Sequence, residues 1–85
     1  MTEPAPRVVV VTVPGCHLCE MALRTVTDTC EPAAVSWAEQ DLFSLDDDAV
    51  RRWRELVPVV LVDGDVVDAL RVDPVRLRQA LQLLP

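Results

Sequence analysis

Between Arg7 and Pro14 the chain reads Val8-Val9-Val10-Val11-Thr12-Val13, a β-branched run with no polar alternation. A strand buried on both faces has this pattern, because neither face has to meet water. Pro14-Gly15 stops the run. From His17 to about Thr29 the period becomes helical. At roughly 100° per residue, Leu18, Met21, Ala22, Thr25 and Val26 share one stripe, with Glu20, Arg24, Thr27 and Asp28 opposite. Glu31-Pro32 ends the helix, since a residue before proline is pushed out of the helical region.

Val35 to Asp41 reads as a second strand with Val35 and Trp37 on one side. Ser44-Leu45-Asp46-Asp47 resembles a capping box with Ser44 at the N-cap. The acids Asp46–Asp48 suit the positive end of a helix dipole, which makes a cap a simpler account of them than a metal site. This helix is expected to turn Val50 and Trp53 inward and to end near Glu55. Val57 to Val62 follows as a strand, with Pro58 near its start, where a missing N–H is tolerated. Asp63-Gly64 is a hairpin signal, and Val66 to Leu70 returns antiparallel. Asp73-Pro74 supplies an N-cap and a proline at the first helical position. The last helix runs to about Leu84, with Leu77, Ala80, Leu81 and Leu84 inward.

The predicted order is β-α-β-α-β-β-α. A right-handed crossover makes the first two strands parallel, and the hairpin adds an antiparallel edge. The expected class is therefore α/β, a four-stranded mixed sheet with helices on both faces. With 85 residues, one domain spanning 1–85 is expected, preceded by a flexible lead-in over residues 1–6.

Charge and composition narrow the function. A formal net charge of −6 argues against nucleic acid, whose phosphates need a basic face, and against anionic membrane surfaces. No basic leader and no apolar run approaching ~18 residues is visible. Three cysteines are too few and too unevenly spaced for a secreted disulfide framework. A reducing cytoplasm is the expected compartment, where a C-x-x-C pair points to catalysis or metal binding.

That pair is Cys16-His17-Leu18-Cys19, placed where the first strand turns into the first helix. At a helix start, unpaired N–H groups and the dipole favour negative sulfur. Cys19 lies one turn on, at a separation compatible with a disulfide. These features assign Cys16 as nucleophile and Cys19 as resolving thiol, with an inert relic or a metal-binding pair as the alternatives. His17 is either a modulator of the redox balance through its charge or a neutral rim residue. Cys30 lies eleven residues past Cys19 on the same helix, roughly 16 Å of rise at about 1.5 Å each, too far for a disulfide. It is expected to act as a small buried hydrophobe.

The element order, the C-x-x-C at the strand-to-helix turn, and Val57-Pro58 opening the third strand resemble the thioredoxin fold. Pro14-Gly15-Cys16-His17-Leu18-Cys19, Trp53, Val57-Pro58-Val59 and Val62-Asp63-Gly64 resemble small bacterial glutaredoxin-like proteins. The resemblance spans about Arg7 to Leu83. It implies thiol–disulfide exchange on protein or small-thiol disulfides, no tightly bound cofactor, and a monomer. It implies that Pro58 is a cis-proline facing the cysteines and that the Val57 backbone pairs with an extended substrate. It also leaves a rival: a non-enzymatic adaptor, or a carrier of metal or an iron–sulfur cluster through Cys16. Two positions depart from the glutathione-binding pattern. Val13 stands where a lysine is usual, and Ala69-Leu70-Arg71-Val72-Asp73 lacks the usual Gly-Gly. Eight arginines and no lysine, isoleucine, asparagine or tyrosine match a GC-rich, actinobacterial codon bias, which adds mycothiol to glutathione as a co-substrate.

Overall fold

The valine run does form the centre of the sheet. In the computed structural model, which describes residues 5–83, β1 spans Val8–Thr12. It is followed by α1 (His17–Cys30), β2 (Trp37–Asp41), a 3-10 turn at Leu42–Ser44, α2 (Asp47–Trp53), β3 (Val59–Val62), β4 (Asp65–Ala69) and α3 (Pro74–Ala80). The strand order is β2-β1-β3-β4. β1 pairs parallel with β2 and antiparallel with β3, and β3 pairs antiparallel with β4. The predicted mixed sheet and element order are both present. The lead-in at 1–4 and the inward position of Leu84 lie outside the described residues.

Alternation along β1 and β3 divides the core into two layers. Val8, Val10, Val60 and Val62 face α1 and α3, where they meet Ala22, Val26, Cys30, Leu77 and Leu81. Val11 and Val59 face the other way and pack with Leu42, Val50 and Trp53. Helices therefore cover both faces. Cys30 is fully buried in the first layer, as a small hydrophobe would be.

Three sequence expectations shift. The buried line on α1 is Cys19, Ala22, Val26 and Cys30, while Met21 is 45% exposed. The stripe is rotated toward the sheet, and Met21 falls on its open edge. The cap of α2 is Asp46, whose side chain accepts from the Ala49 N–H at 2.9 Å. Ser44 is consumed by the preceding 3-10 turn, where its hydroxyl donates to the Asp41 carbonyl. The third shift is the last helix, which ends at Ala80 and not near Leu84. Asp68, a charged residue of the returning strand to which the pattern assigned no role, is buried. It is 5% exposed and accepts from the Ala69 and Asp73 N–H groups at 2.9 and 2.8 Å, and from Arg76 Nη1 at 3.3 Å. A bulge near Val60/Leu61 sets β4 so that Asp68 pairs across from Val60, on the α3 face. The acid thus ties the β4–α3 loop to both of its ends.

Leu77 and Val75 test this layering on one short helix. Leu77→Ala is expected to destabilise the fold by about 2–5 kcal/mol, since it opens a cavity at a fully buried position. Val75 is 52% exposed, and Val75→Ala should stay within about 0.5 kcal/mol. Urea unfolding measures both; equal losses would contradict the burial pattern.

Candidate active site

The site begins with a turn. Gly15 has φ +71°, and no atom crowds the position of an added Cβ. Its constraint is the left-handed backbone itself, which costs another residue about 1–2 kcal/mol. That turn delivers Cys16 as the N-cap of α1, with extended backbone at φ −100° and ψ 112°. The Cys19 N–H donates to Cys16 Sγ at 3.2 Å. A cysteine thus fills the place where serine or aspartate would cap a helix. The hydrogen bond points a donor at the sulfur that the sequence assigns as nucleophile.

The two thiols differ in access. Cys16 is half-buried and Cys19 is 3% exposed; all three cysteines are free. Burial pushes the Cys19 thiol up to about 11, and the contact with Cys16 adds to the effect. The Val13 backbone works in the opposite direction, while the charges of Cys16 and Glu39 raise it further. Glu39 is held by the buried Thr12, whose hydroxyl donates to its Oε2 at 2.7 Å. Neither residue stood out in sequence; a threonine ending a valine run and an acid on the neighbouring strand are ordinary there.

His17 is on the rim. Its side chain is 84% exposed, with Nδ1 3.8 Å from Glu20 Oε2. Cys30 sits in the core, far along α1, and takes no part in the site. Among the described residues, no three His, Cys, Asp or Glu side chains are grouped to hold a metal ion. Also among them, no helix is long and apolar enough to cross a membrane.

The Val57–Pro58 peptide is cis, and Pro58 is fully buried. The Val57 N–H already donates to the Trp53 carbonyl at 3.1 Å, closing the C-terminal turn of α2. Among the described residues, no backbone group donates to the Val57 carbonyl. Of the Val57 backbone groups expected to pair with an extended substrate, the N–H is thus engaged within the chain and the carbonyl is the one without a backbone donor. Trp53 is half-buried against the second core layer, and Arg52 stacks on its ring at 5.3 Å from the centroid.

Leu70 is the residue whose conformation sequence reasoning missed. It has φ +65°, in the left-handed region that leucine rarely adopts. Its N–H donates to the Pro58 carbonyl at 2.9 Å and to the Leu56 carbonyl at 3.1 Å. A glycine would have signalled this bend; leucine gives no such signal. Beside it, Leu18, Met21, Ala22, Thr25, Arg71 and Val72 complete a groove of about 180 Å³ that reaches Leu18, between the two cysteines.

No family model and no curated protein sequence matches the chain. Solved structures do. A structural-genomics target protein from X. campestris is 22% identical, with a TM-score of 0.70 over 92% of this chain and 99% of that one. A glutaredoxin from Archaeoglobus fulgidus is 14% identical, with a TM-score of 0.59 over 91% of this chain and 87% of that one. The holo form of a glutaredoxin from Populus tremula x tremuloides is 21% identical, with a TM-score of 0.57 over 92% of this chain and 78% of that one. Together with the strand order and the C-x-x-C at the start of α1, these likenesses give the chain the thioredoxin fold in the form seen in glutaredoxins.

Proposed function

We propose that the protein is a thiol–disulfide oxidoreductase that cycles Cys16 and Cys19 between dithiol and disulfide. One observation carries this reading: Cys16 caps α1 with its sulfur facing the Cys19 N–H, while Cys19 is buried one turn beneath. An accessible attacking sulfur and a sheltered resolving thiol are what exchange requires.

In the first step the Cys16 thiolate attacks a substrate disulfide R–S–S–R′. A bond forms between Cys16 and one substrate sulfur, and the other leaves as a thiolate that takes up a proton. Cys19 then loses its proton and attacks Cys16 Sγ, releasing the second thiol. The substrate gains two electrons and two protons; the protein ends as the Cys16–Cys19 disulfide. Two equivalents of a low-molecular-weight thiol, glutathione or mycothiol, or one reduced protein dithiol, restore it. The half-buried Val57 offers its carbonyl to the substrate, and the buried Pro58 fixes that backbone from behind. His17 stands on the rim beside Cys16 as the candidate modulator. The chain works as a monomer in a reducing compartment, the cytoplasm.

Cys16→Ser is expected to bring disulfide reduction down to background. Cys19→Ser should retain the first step and accumulate a mixed disulfide on Cys16, visible as an added mass that dithiothreitol removes. Full turnover in both variants would refute the exchange reading, and iron bound by anaerobically purified protein would favour the carrier instead.

The raised Cys19 thiol sets a pH dependence. With an ionisation near 11, Cys19 is almost wholly protonated at neutral pH, and its thiolate fraction rises about tenfold per pH unit up to that value. Iodoacetamide on the folded, reduced protein near pH 7 should label Cys16 alone. Labelling of Cys19 should climb as the pH approaches 11. Equal labelling of both thiols at neutral pH would contradict the burial of Cys19.

A further inference from the structure

The groove beside Leu18 is not needed by the chemistry of the two thiols, yet it is held open at a cost. Met21 and Leu70 are 45% and 43% exposed, and both line it together with the half-buried Leu18 and Val72. Leu70 is kept in a left-handed conformation by hydrogen bonds from its own N–H, which do not involve its side chain. A glycine would make those bonds without strain. Leucine at this position instead sets an apolar side chain on the rim of the site. Strained residues persist where the surroundings over-determine them, often at ligand clamps.

We propose that this groove seats an extended, apolar segment of a protein partner that carries an acidic residue next to its disulfide-bonded cysteine. The inference rests on the exchange reading and names its substrate class. Three further observations support it. The volume of about 180 Å³ is below the roughly 300–1,000 Å³ of sites that enclose whole small molecules, and it suits one or two side chains of a passing segment. Of the seven lining residues five are apolar, and the Leu70 N–H is already engaged by the Pro58 and Leu56 carbonyls, so apolar contact supplies most of the surface a ligand would meet. Arg71 lines the groove with no carboxylate among the lining residues, and among the described residues no acid is paired with it. In a chain of net charge −6 this is a local cation. The guanidinium is the one charged side chain among the residues that line the groove.

The test uses the reduced, full-length protein and short synthetic peptides, each with one cysteine joined to 2-thiopyridine. Cys16 attacks the peptide sulfur, the old S–S bond breaks, and 2-thiopyridone leaves with a change in absorbance. Leucine- and valine-flanked peptides with an adjacent glutamate should react roughly tenfold faster than glycine- and serine-flanked ones. They should also outpace the glutathione adduct. Leu70→Gly, which keeps the bend, should reduce the apolar-to-polar rate ratio about fivefold. Met21→Gln serves as a second variant with the same expected direction. Arg71→Glu should invert the preference for glutamate over lysine beside the cysteine.

A ratio near one in the unmutated protein overturns the groove assignment, as does an unchanged ratio in both folded variants. So does a glutathione adduct that reacts fastest. Failure to release thiopyridone from any probe, including 2,2′-dithiodipyridine, overturns the exchange reading together with the proposal. Release without discrimination overturns the groove alone.

Discussion

The hydrogen bond from the Cys19 N–H to Cys16 Sγ is the contact on which the site depends. It exists because the chain leaves β1 through a left-handed glycine and enters α1 with a cysteine at the cap. An uncapped helix start leaves N–H groups without partners. Here one such donor is aimed at sulfur, and the same turn that satisfies the helix holds the thiol in place. The burial of β1 on both faces makes the position firm: with a valine layer on each side, the strand cannot slide without exposing one set of residues.

Around that contact the wall is assembled by hydrogen bonds distant in sequence. Leu70 N–H reaches the carbonyls of Pro58 and Leu56, and Asp68 gathers Ala69, Asp73 and Arg76. The loop before α3 is thereby fixed to the cis-proline segment rather than left to move over it. A buried carboxylate is costly when unpaired and rigidifying when its lone pairs are filled. Asp68 is of the second kind. Its three partners join the end of β4, the cap of α3 and the first turns of that helix.

Much of this was legible in the sequence. The valine run, the Asp63-Gly64 turn and the Asp73-Pro74 cap each carry one local physical signal, and each predicted the element that formed. The C-x-x-C was placed at the N-cap for the same reason. What was not legible depends on competition or on distance. Ser44 and Asp46 both suit a helix cap, and the outcome turned on a 3-10 turn anchored by Asp41, which also accepts from the Phe43 N–H. The helical stripe of α1 predicted an inward face but not its rotation toward the sheet, which packing against Val8 and Val10 decides. Asp68 and Leu70 were silent because their roles come from partners several residues or a whole element away.

The departures from a glutathione-binding pattern now have a structural meaning. The glycine pair is absent, but the backbone bend that a glycine permits is present at Leu70. At this bend an exposed leucine side chain stands where a glycine would leave bare backbone. Val13 stands in place of a lysine, and the Val57 N–H is closed by the Trp53 carbonyl, so two of the groups a small anionic peptide could use beside Cys16 are not available to it. Binding specificity is a difference between affinities. On the proposed reading, the added apolar area shifts that difference toward a substrate that brings its own hydrophobic side chains. On the exchange reading proposed for this chain, the redox chemistry lies in the first turn of α1 and the choice of partner in the loop that Asp68 holds in place.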